Sequence, residues 1–376
     1  MTERRLTVLH VVANRWWTGS AEPVLRLVLA LRARGHRALL AMAGGDRFEV
    51  KAREAGVEPL EGLHLDVKSG PLAIVGDARG LRALVTRERV DVVHAHHSHD
   101  HWLGWWGRGG AALVRSFHNE RAVRTNWPDT ALYRRTDALI AVSRRIEQRL
   151  LGAGMVGERL HRVDGVVDVA RFASDPAGAA KIREEFAVGE APLIGCVSRL
   201  AAGRGHDTLI EAFKRILVRR PEARLLIVGK GERRDALVDL VARLGLERQA
   251  LFAGYRDADL PAVLASLDLF VLLGAGSDES CRAALEAMAA GRPVVAARVG
   301  ALPDAVMHGE TGLLVDESSG DDVAAALEQL LEHPEKRRAM GEAGRKRAVG
   351  LFAPERHAAA MEALYLEALA RRARPS

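Results

Sequence analysis

Two carboxylates, Asp278 and Glu286, stand eight residues apart, and the residues around them decide what they could do. The apolar run Leu267 to Leu273 reads as a buried strand of a parallel sheet. It breaks at Gly274-Ala275-Gly276-Ser277. A helical pattern then starts near Ser280, a good N-cap residue, and ends at Gly291 before Pro293. Asp278 therefore falls in a loop and Glu286 on the helix behind it. In open α/β sheets ligands sit at such a loop, beyond the carboxyl end of a strand. The unpaired N–H groups and positive dipole end of the helix suit a phosphate. A second constellation is His96-His97-Ser98-His99-Asp100-His101, where imidazoles and a carboxylate invite a metal reading. Its spacing argues otherwise, because side chains along an extended or turning loop point in different directions.

At 376 residues the chain calls for two domains. Two widely separated cysteines, Cys196 and Cys281, show no metal-ligand spacing and fit a reducing compartment. No apolar run is long enough to span a bilayer, and Leu6 to Ala13 runs on into the chain as a first strand with no cleavage site behind it. A cytoplasmic protein is expected. Met1 to Phe172 holds 27 Lys and Arg against 19 Asp and Glu, whereas the remainder holds 28 against 30. A basic first half suits an anionic partner, such as a phosphorylated acceptor or an acidic lipid surface, or is a solvated face with no partner. Nucleic acid is not expected, since no binding motif accompanies the charge.

Further strands are read at Arg37 to Ala43, Val90 to His94, Val114 to Phe117, Asp137 to Ser143, Pro192 to Val197, Arg224 to Val228 and Leu251 to Gly254. Helical patterns fall between many of them, so the class is α/β. Trp102, Trp105 and Trp106 follow the histidines at helical spacing and are core by default. Ser174 to Ala180 reads as a linker and Lys181 to Phe186 as a short helix.

The run Glu286-Ala287-Met288-Ala289-x-Gly291-x-Pro293-Val294-Val295, with acids before it, resembles the donor-site signature of family 4 glycosyltransferases. These are retaining enzymes of the two-Rossmann GT-B architecture. The family usually opens that signature with Glu-Gly, where this chain has Asp278-Glu279. Asp91 to His96 resembles the family's strand end on the acceptor side, and Val114 to Glu120 the strand that ends in a histidine near the transferred sugar. Arg199-Leu200, followed by Arg204-Gly205, is similar to the basic pair that holds the donor pyrophosphate, with Arg204 for the usual Lys. The loop after the first strand commonly carries paired glycines, and this chain has Gly19 alone, after Trp16 and Trp17.

The resemblance implies domains at 1–173 and 191–352 joined by a linker at 174–190, with a final helix at 353–376 crossing back to the first. The two Rossmann-like domains would carry parallel sheets facing an interdomain cleft. It implies catalytic roles for His118, Asp278, Arg199 and Arg204. Donor contacts would come from Gly19, Gly229, Tyr255, Glu279, Ser280, Cys281, Arg282 and Glu286, and acceptor contacts from His96, His97, His99 and His101. No cofactor and no metal are implied. The expected partners are a nucleotide-diphosphate sugar and a glycan or lipid-linked acceptor, with peripheral contact to an anionic membrane face. The expected activity is glycosyl transfer in cell-envelope polysaccharide or lipopolysaccharide biosynthesis. The alternative is a non-catalytic GT-B protein that binds a nucleotide sugar within a glycan-assembly complex. From the residues alone, other readings stay open: a turn glycine at Gly19, a hydrogen-bonded strand-end histidine at His118, structural hydrogen bonds in the 96–101 cluster and a solvated pair at Arg199 and Arg204.

Overall fold

The computed structural model describes residues 4–17, 21–65, 71–276, 279–316 and 319–373. It divides into two compact units, one of Met1–Gly165, Ser277–Glu279 and Pro354–Ser376, the other of Val166–Gly276 and Ser280–Ala353. Each is built on a six-stranded, all-parallel sheet.

In the first unit the strands are β1 (Thr7–Val12), β2 (Arg37–Met42), β3 (Val92–Ala95), β4 (Ala112–Phe117), β5 (Ala138–Ala141) and β6 (Leu160–Arg162), in the order β2-β1-β3-β4-β5-β6. In the second they are β7 (Leu193–Val197), β8 (Arg224–Val228), β9 (Ala250–Gly254), β10 (Leu269–Leu272), β11 (Val294–Ala297) and β12 (Gly312–Val315), in the order β12-β11-β10-β7-β8-β9. Helices cover both faces of such sheets, which is why β3 and β10 are buried at every residue and β10 reads as an unbroken apolar run, while β3 carries one histidine, His94. Both sheets reverse winding direction once, at β1/β3 in the first unit and at β7/β10 in the second. Crevices form at the carboxyl ends of the strands there.

One local device recurs at the opposite edge of the sheets. Asp91, Asp137 and Asp268 each precede a strand, and each carboxylate accepts an N–H from the first or second residue of a neighbouring strand: Thr7 (2.8 Å), Leu113 (2.8 Å) and Leu193 (2.8 Å). The aspartate N–H donates back to the carbonyl of the same residue at 2.9, 2.9 and 2.8 Å. These strand starts lie where the ladder would leave an N–H unpaired, and the carboxylate sets the register there.

Three local expectations differ from the structure. The histidine stretch is not a loop throughout, because a helix, Ser98–Gly107, begins inside it. Along that helix His101, Leu103 and Gly104 are buried, while Trp106 is 54% exposed, so the tryptophans are not all core. The stretch read as a linker is helical from Pro176 to Glu185, because Asp175 caps it through the Gly178 N–H and Pro176 stands in its first turn. The helix after β10 is Arg282–Ala289, one residue later than read, and its N-cap is Cys281 in the left-handed region (φ 52°) instead of Ser280. The last helix, Pro354–Ala373, buries Ala358, Met361, Tyr365 and Ala368 in the core that also holds β1 and the helix Ala21–Ala33.

Removing the Asp137 carboxylate unpairs the Leu113 N–H and the Arg108 guanidinium, which lies 2.6 Å from it. Asp137→Ala should lower the unfolding free energy by about 2 kcal/mol in urea titrations. An unchanged midpoint would show that the carboxylate does not hold the β4 start.

Candidate functional site

In the first unit the crevice at β1/β3 is closed by a buried carboxylate, Asp100, which is the third residue of the helix Ser98–Gly107. Its Oδ1 accepts the Ala13 N–H at 2.8 Å, just past the end of β1. Its Oδ2 accepts the N–H groups of His97 (2.9 Å) and His96 (3.3 Å), just past the end of β3. One anion therefore satisfies three N–H groups from two diverging chain segments and caps its own helix.

Five polar residues share one face beside this clamp. His10 is opposite His94 in the β1/β3 register, and His94 is opposite Val114 in β3/β4. Because strand side chains repeat every two residues, His94 and His96 fall on that face, as do Ser116 and His118. His94 is spent structurally, with Nδ1 2.8 Å from the Tyr365 hydroxyl and Nε2 2.8 Å from Ser116 Oγ. His96 lies between two other imidazoles: its Nε2 is 3.1 Å from His10 Nδ1, and its Nδ1 is 3.2 Å from His118 Nε2. All four rings are buried. Burial holds them neutral, pushing His10 and His118 down to about 3 and His94 and His96 well below the usual histidine range.

The other acceptor candidates separate. His97 is half-buried, with its Nδ1 3.2 Å from Asp100. His101 is a core residue, its Nε2 2.7 Å from Thr136 Oγ1 and its ring stacked on Tyr133. His99 is part-buried, and its Nε2 lacks a protein partner. Among the described residues one group could hold a metal ion: His10, His94 and His96, whose ligand atoms lie within 4.8 Å of one another. A tetrahedral ion about 2.0–2.1 Å from each imidazole needs them closer than that, and His94 and His96 already have both ring nitrogens in hydrogen bonds.

In the second unit the crevice at β7/β10 is built from backbone packed on backbone. A Cβ on Gly229 would stand 1.9 Å from the Ser198 carbonyl, and one on Gly274 would stand 2.7 Å from the Gly203 carbonyl. Gly229 is therefore a packing residue that lets the loop after β8 lie under the loop after β7. This close approach sets Arg204 across the crevice, where its Nη1 donates to the Ala275 carbonyl at 2.7 Å. Burial lowers its guanidinium from the usual value, and the charge of Arg199 adds to that effect. Arg199 itself is 68% exposed and pairs with Glu232 at 3.0 Å. Behind it Ser198 Oγ meets Nε2 of the buried His206 at 2.9 Å. Tyr255 is exposed and carries the Lys230 ammonium over its ring at 5.1 Å.

Glu286 is 3% exposed, and its Oε1 accepts from Arg282 Nε at 2.9 Å, one helical turn away. Ser280 and Cys281 are buried at the start of that helix. Glu279 counts with the first unit, where its N–H donates to the His118 carbonyl (2.8 Å) and its Oε1 accepts the Glu120 N–H (2.7 Å). Gly19 and Asp278 lie outside the described residues. Sequence reading passed over His10, Ser116 and Tyr365 and gave Asp100, Ser198, His206 and Glu232 no role. A histidine inside the apolar run Leu6 to Ala13 was the available signal for His10; the others depend on register and packing.

Two family models match the chain: "Glycosyltransferase Family 4" over residues 17–171 and "Glycosyl transferases group 1" over residues 179–347. The chain is 32% identical, over 81% of its length and 82% of the relative's, to a GDP-mannose-dependent alpha-(1-6)-phosphatidylinositol monomannoside mannosyltransferase of Mycobacterium tuberculosis. The chain belongs to the family 4 glycosyltransferases. A relative of the same description from Mycolicibacterium smegmatis is 35% identical over 63% of this chain and 65% of its own length. A glycosyltransferase structure from Rickettsia africae shares the fold, with a TM-score of 0.84 at 19% identity over 97% of this chain and 99% of that one. This glycosyltransferase thus has the GT-B pattern of two Rossmann-like units, each with its own crevice, and its family is a retaining one.

Two tests follow from the geometry of the first unit. Asp100→Ala should cost the glycosyltransferase about 3 kcal/mol of stability, because three N–H groups lose a charged acceptor. Asp100→Asn should recover part of this, since one amide oxygen still accepts while the amide N–H₂ opposes an N–H. Equal unfolding free energies for Asp100→Ala and wild type would refute the clamp. The second test concerns pH. His10 and His118 have folded values near 3 against 6.5 for the exposed side chain, so above about pH 6.5 neither state binds the proton and the full stability is present. Below that the unfolded chain takes up protons first, and stability is lost as pH falls toward 3. The slope is about 1.4 kcal/mol per pH unit for each fully titrating histidine. Unfolding free energies measured at pH 7, 6 and 5 should fall progressively, and a flat profile would mean that these rings are hydrated.

Proposed function

We propose that this glycosyltransferase moves a hexosyl group, mannose first among candidates, from a guanosine-diphosphate sugar to a lipid-linked acceptor of the phosphoinositide class. The observation that carries the donor reading is the second unit's crevice. There a half-buried guanidinium, Arg204, and the start of the helix that bears Glu286 border the winding reversal of a Rossmann sheet. Two mycobacterial relatives named for GDP-mannose and a phosphatidylinositol mannoside support the choice of substrates.

In this reading Arg204 and Arg199 hold the diphosphate, and Glu286, oriented by Arg282, accepts from the ribose hydroxyls. Asp278 orients the sugar hydroxyls, with Gly19, Tyr255 and the 279–282 segment completing the donor contacts. The first unit supplies His118 on the catalytic side and His96, His97 and His99 on the acceptor side. The bond between the anomeric carbon and the phosphate oxygen breaks. The nucleotide diphosphate leaves with the acceptor hydroxyl's proton, and the new glycosidic bond forms on the same face of the sugar. The charge that develops on the diphosphate is what fixed cations stabilise. No metal takes part in this scheme. The basic first half of the chain suits an anionic membrane face, and no helix of the described residues is long and apolar enough to cross a membrane.

Calorimetry and thermal shift with GDP-mannose, UDP-glucose and the free diphosphates test the donor. Stabilisation by GDP-mannose is expected, because a ligand that binds only the folded state raises its melting temperature. Glu286→Ala should weaken that binding by about 1–3 kcal/mol, and equal affinity in wild type and variant would remove Glu286 from the site. Release of GDP only when a phosphatidylinositol acceptor is added completes the reading. Binding without transfer to any acceptor would favour the non-catalytic partner protein instead.

A further inference from the structure

His10, to which the proposed reaction gives no role, joins His96 and His118 in a buried row of three imidazoles in mutual contact. The two ring-to-ring hydrogen bonds are 3.1 and 3.2 Å long, and the rings stack pairwise with centroids 5.4 and 5.5 Å apart. Each ring is under a tenth exposed.

A neutral imidazole carries one proton, on Nδ1 or on Nε2. Each bond in the row needs a proton on one side and a lone pair on the other, so the three tautomers are coupled and only two directions satisfy both bonds. The far end of the row decides between them. His10 Nε2 is buried and has no hydrogen-bond partner. If the row donated toward His10, that atom would be an N–H sealed from water without an acceptor, the rarer and costlier kind of orphan. If the row donates away from His10, the atom is only an unused lone pair. His94, whose ring lies 4.1 Å from that of His96, does not disturb the row, because its two nitrogens are taken by Tyr365 and Ser116.

We propose that His10 is a positioning residue: its Nδ1–H donates to His96, whose Nδ1–H donates to His118, so that His118 is held with its own proton on Nδ1. His118 then acts as a hydrogen-bond donor from Nδ1 and does not serve as a base there. The tautomer assignment stands on the geometry alone, while its consequence for turnover rests on the proposed transfer reaction.

Long-range ¹H–¹⁵N spectra of the full-length protein, labelled at histidine and recorded near pH 7, read the tautomers directly. The expected result is Nδ1–H at His10, His96 and His118, and Nε2–H at His118 in wild type overturns the proposal. In His10→Asp an acceptor-only carboxylate faces His96 Nε2, the row reverses, and His118 should move to Nε2–H, whereas His10→Val leaves His96 Nε2 as the unused lone pair and His118 on Nδ1–H. With GDP-mannose as donor the transfer rate of His10→Asp should fall at least tenfold, with donor KM within about twofold of wild type. His10→Asn, of the same shape but with an amide N–H₂ that can take the place of Nδ1–H, should restore both the tautomer and the rate. A His118 proton unmoved by His10→Asp, or one that moves with no change in rate, also refutes the positioning role. A wild-type protein that transfers no sugar would sink the reaction reading, while the spectra would still decide the tautomers.

Discussion

The crevice of the first unit depends on one buried anion. Where a parallel sheet reverses its winding, the chain leaves two adjacent strands in opposite directions, and the N–H groups just past their ends have no ladder partner. Asp100 answers this by accepting from Ala13 on one side and from His96 and His97 on the other. Holding both strand ends on one carboxylate places His96, whose ring in turn meets His10 and His118. The charge is tolerable inside because its hydrogen bonds are charge-assisted and because the buried guanidinium of Arg115 interacts favourably with it, although burial still draws that arginine down to about 10.

The two crevices use opposite electrostatic strategies. In the first unit, four imidazoles are dehydrated until they are neutral, so polarity is delivered through directed N–H bonds with no net charge. In the second, guanidiniums stay ionised at the surface or half-buried, one against a carboxylate and one against a carbonyl. A diphosphate demands fixed positive charge, whereas a hydroxyl nucleophile demands orientation and little charge. In the proposed function the second crevice takes the diphosphate and the first orients the acceptor hydroxyl. Glu286 fits this scheme as well: it is 3% exposed, and the Arg282 guanidinium holds its carboxylate in one orientation.

Much of this was legible in the sequence, for local reasons. Apolar runs and helical spacing mark strands and helices because burial on a sheet or a helix face repeats with a short period, and β8 begins and ends where the run Arg224 to Val228 does. The Glu286-to-Val295 signature and the Arg199/Arg204 pair pointed to family 4 because a phosphate-binding strand–loop–helix needs glycines, cations and a helix start close together along the chain. The errors were also local: Asp175 and Pro176 start a helix where a linker was read, and Cys281 takes a left-handed turn that moves the next helix one residue on. What sequence could not reveal was pairing at a distance. That His10 faces His94, that Ser116 and Tyr365 satisfy the latter, and that Asp100 reaches Ala13 follow from strand order, register and packing across 22 to 271 residues of chain. The sequence by itself determined the elements, the family and the residues rich in chemistry, since these depend on neighbours along the chain. Only the tertiary structure decided which histidines form the row and which are core, because hydrogen-bond partners are set by packing between strands that the chain order does not specify.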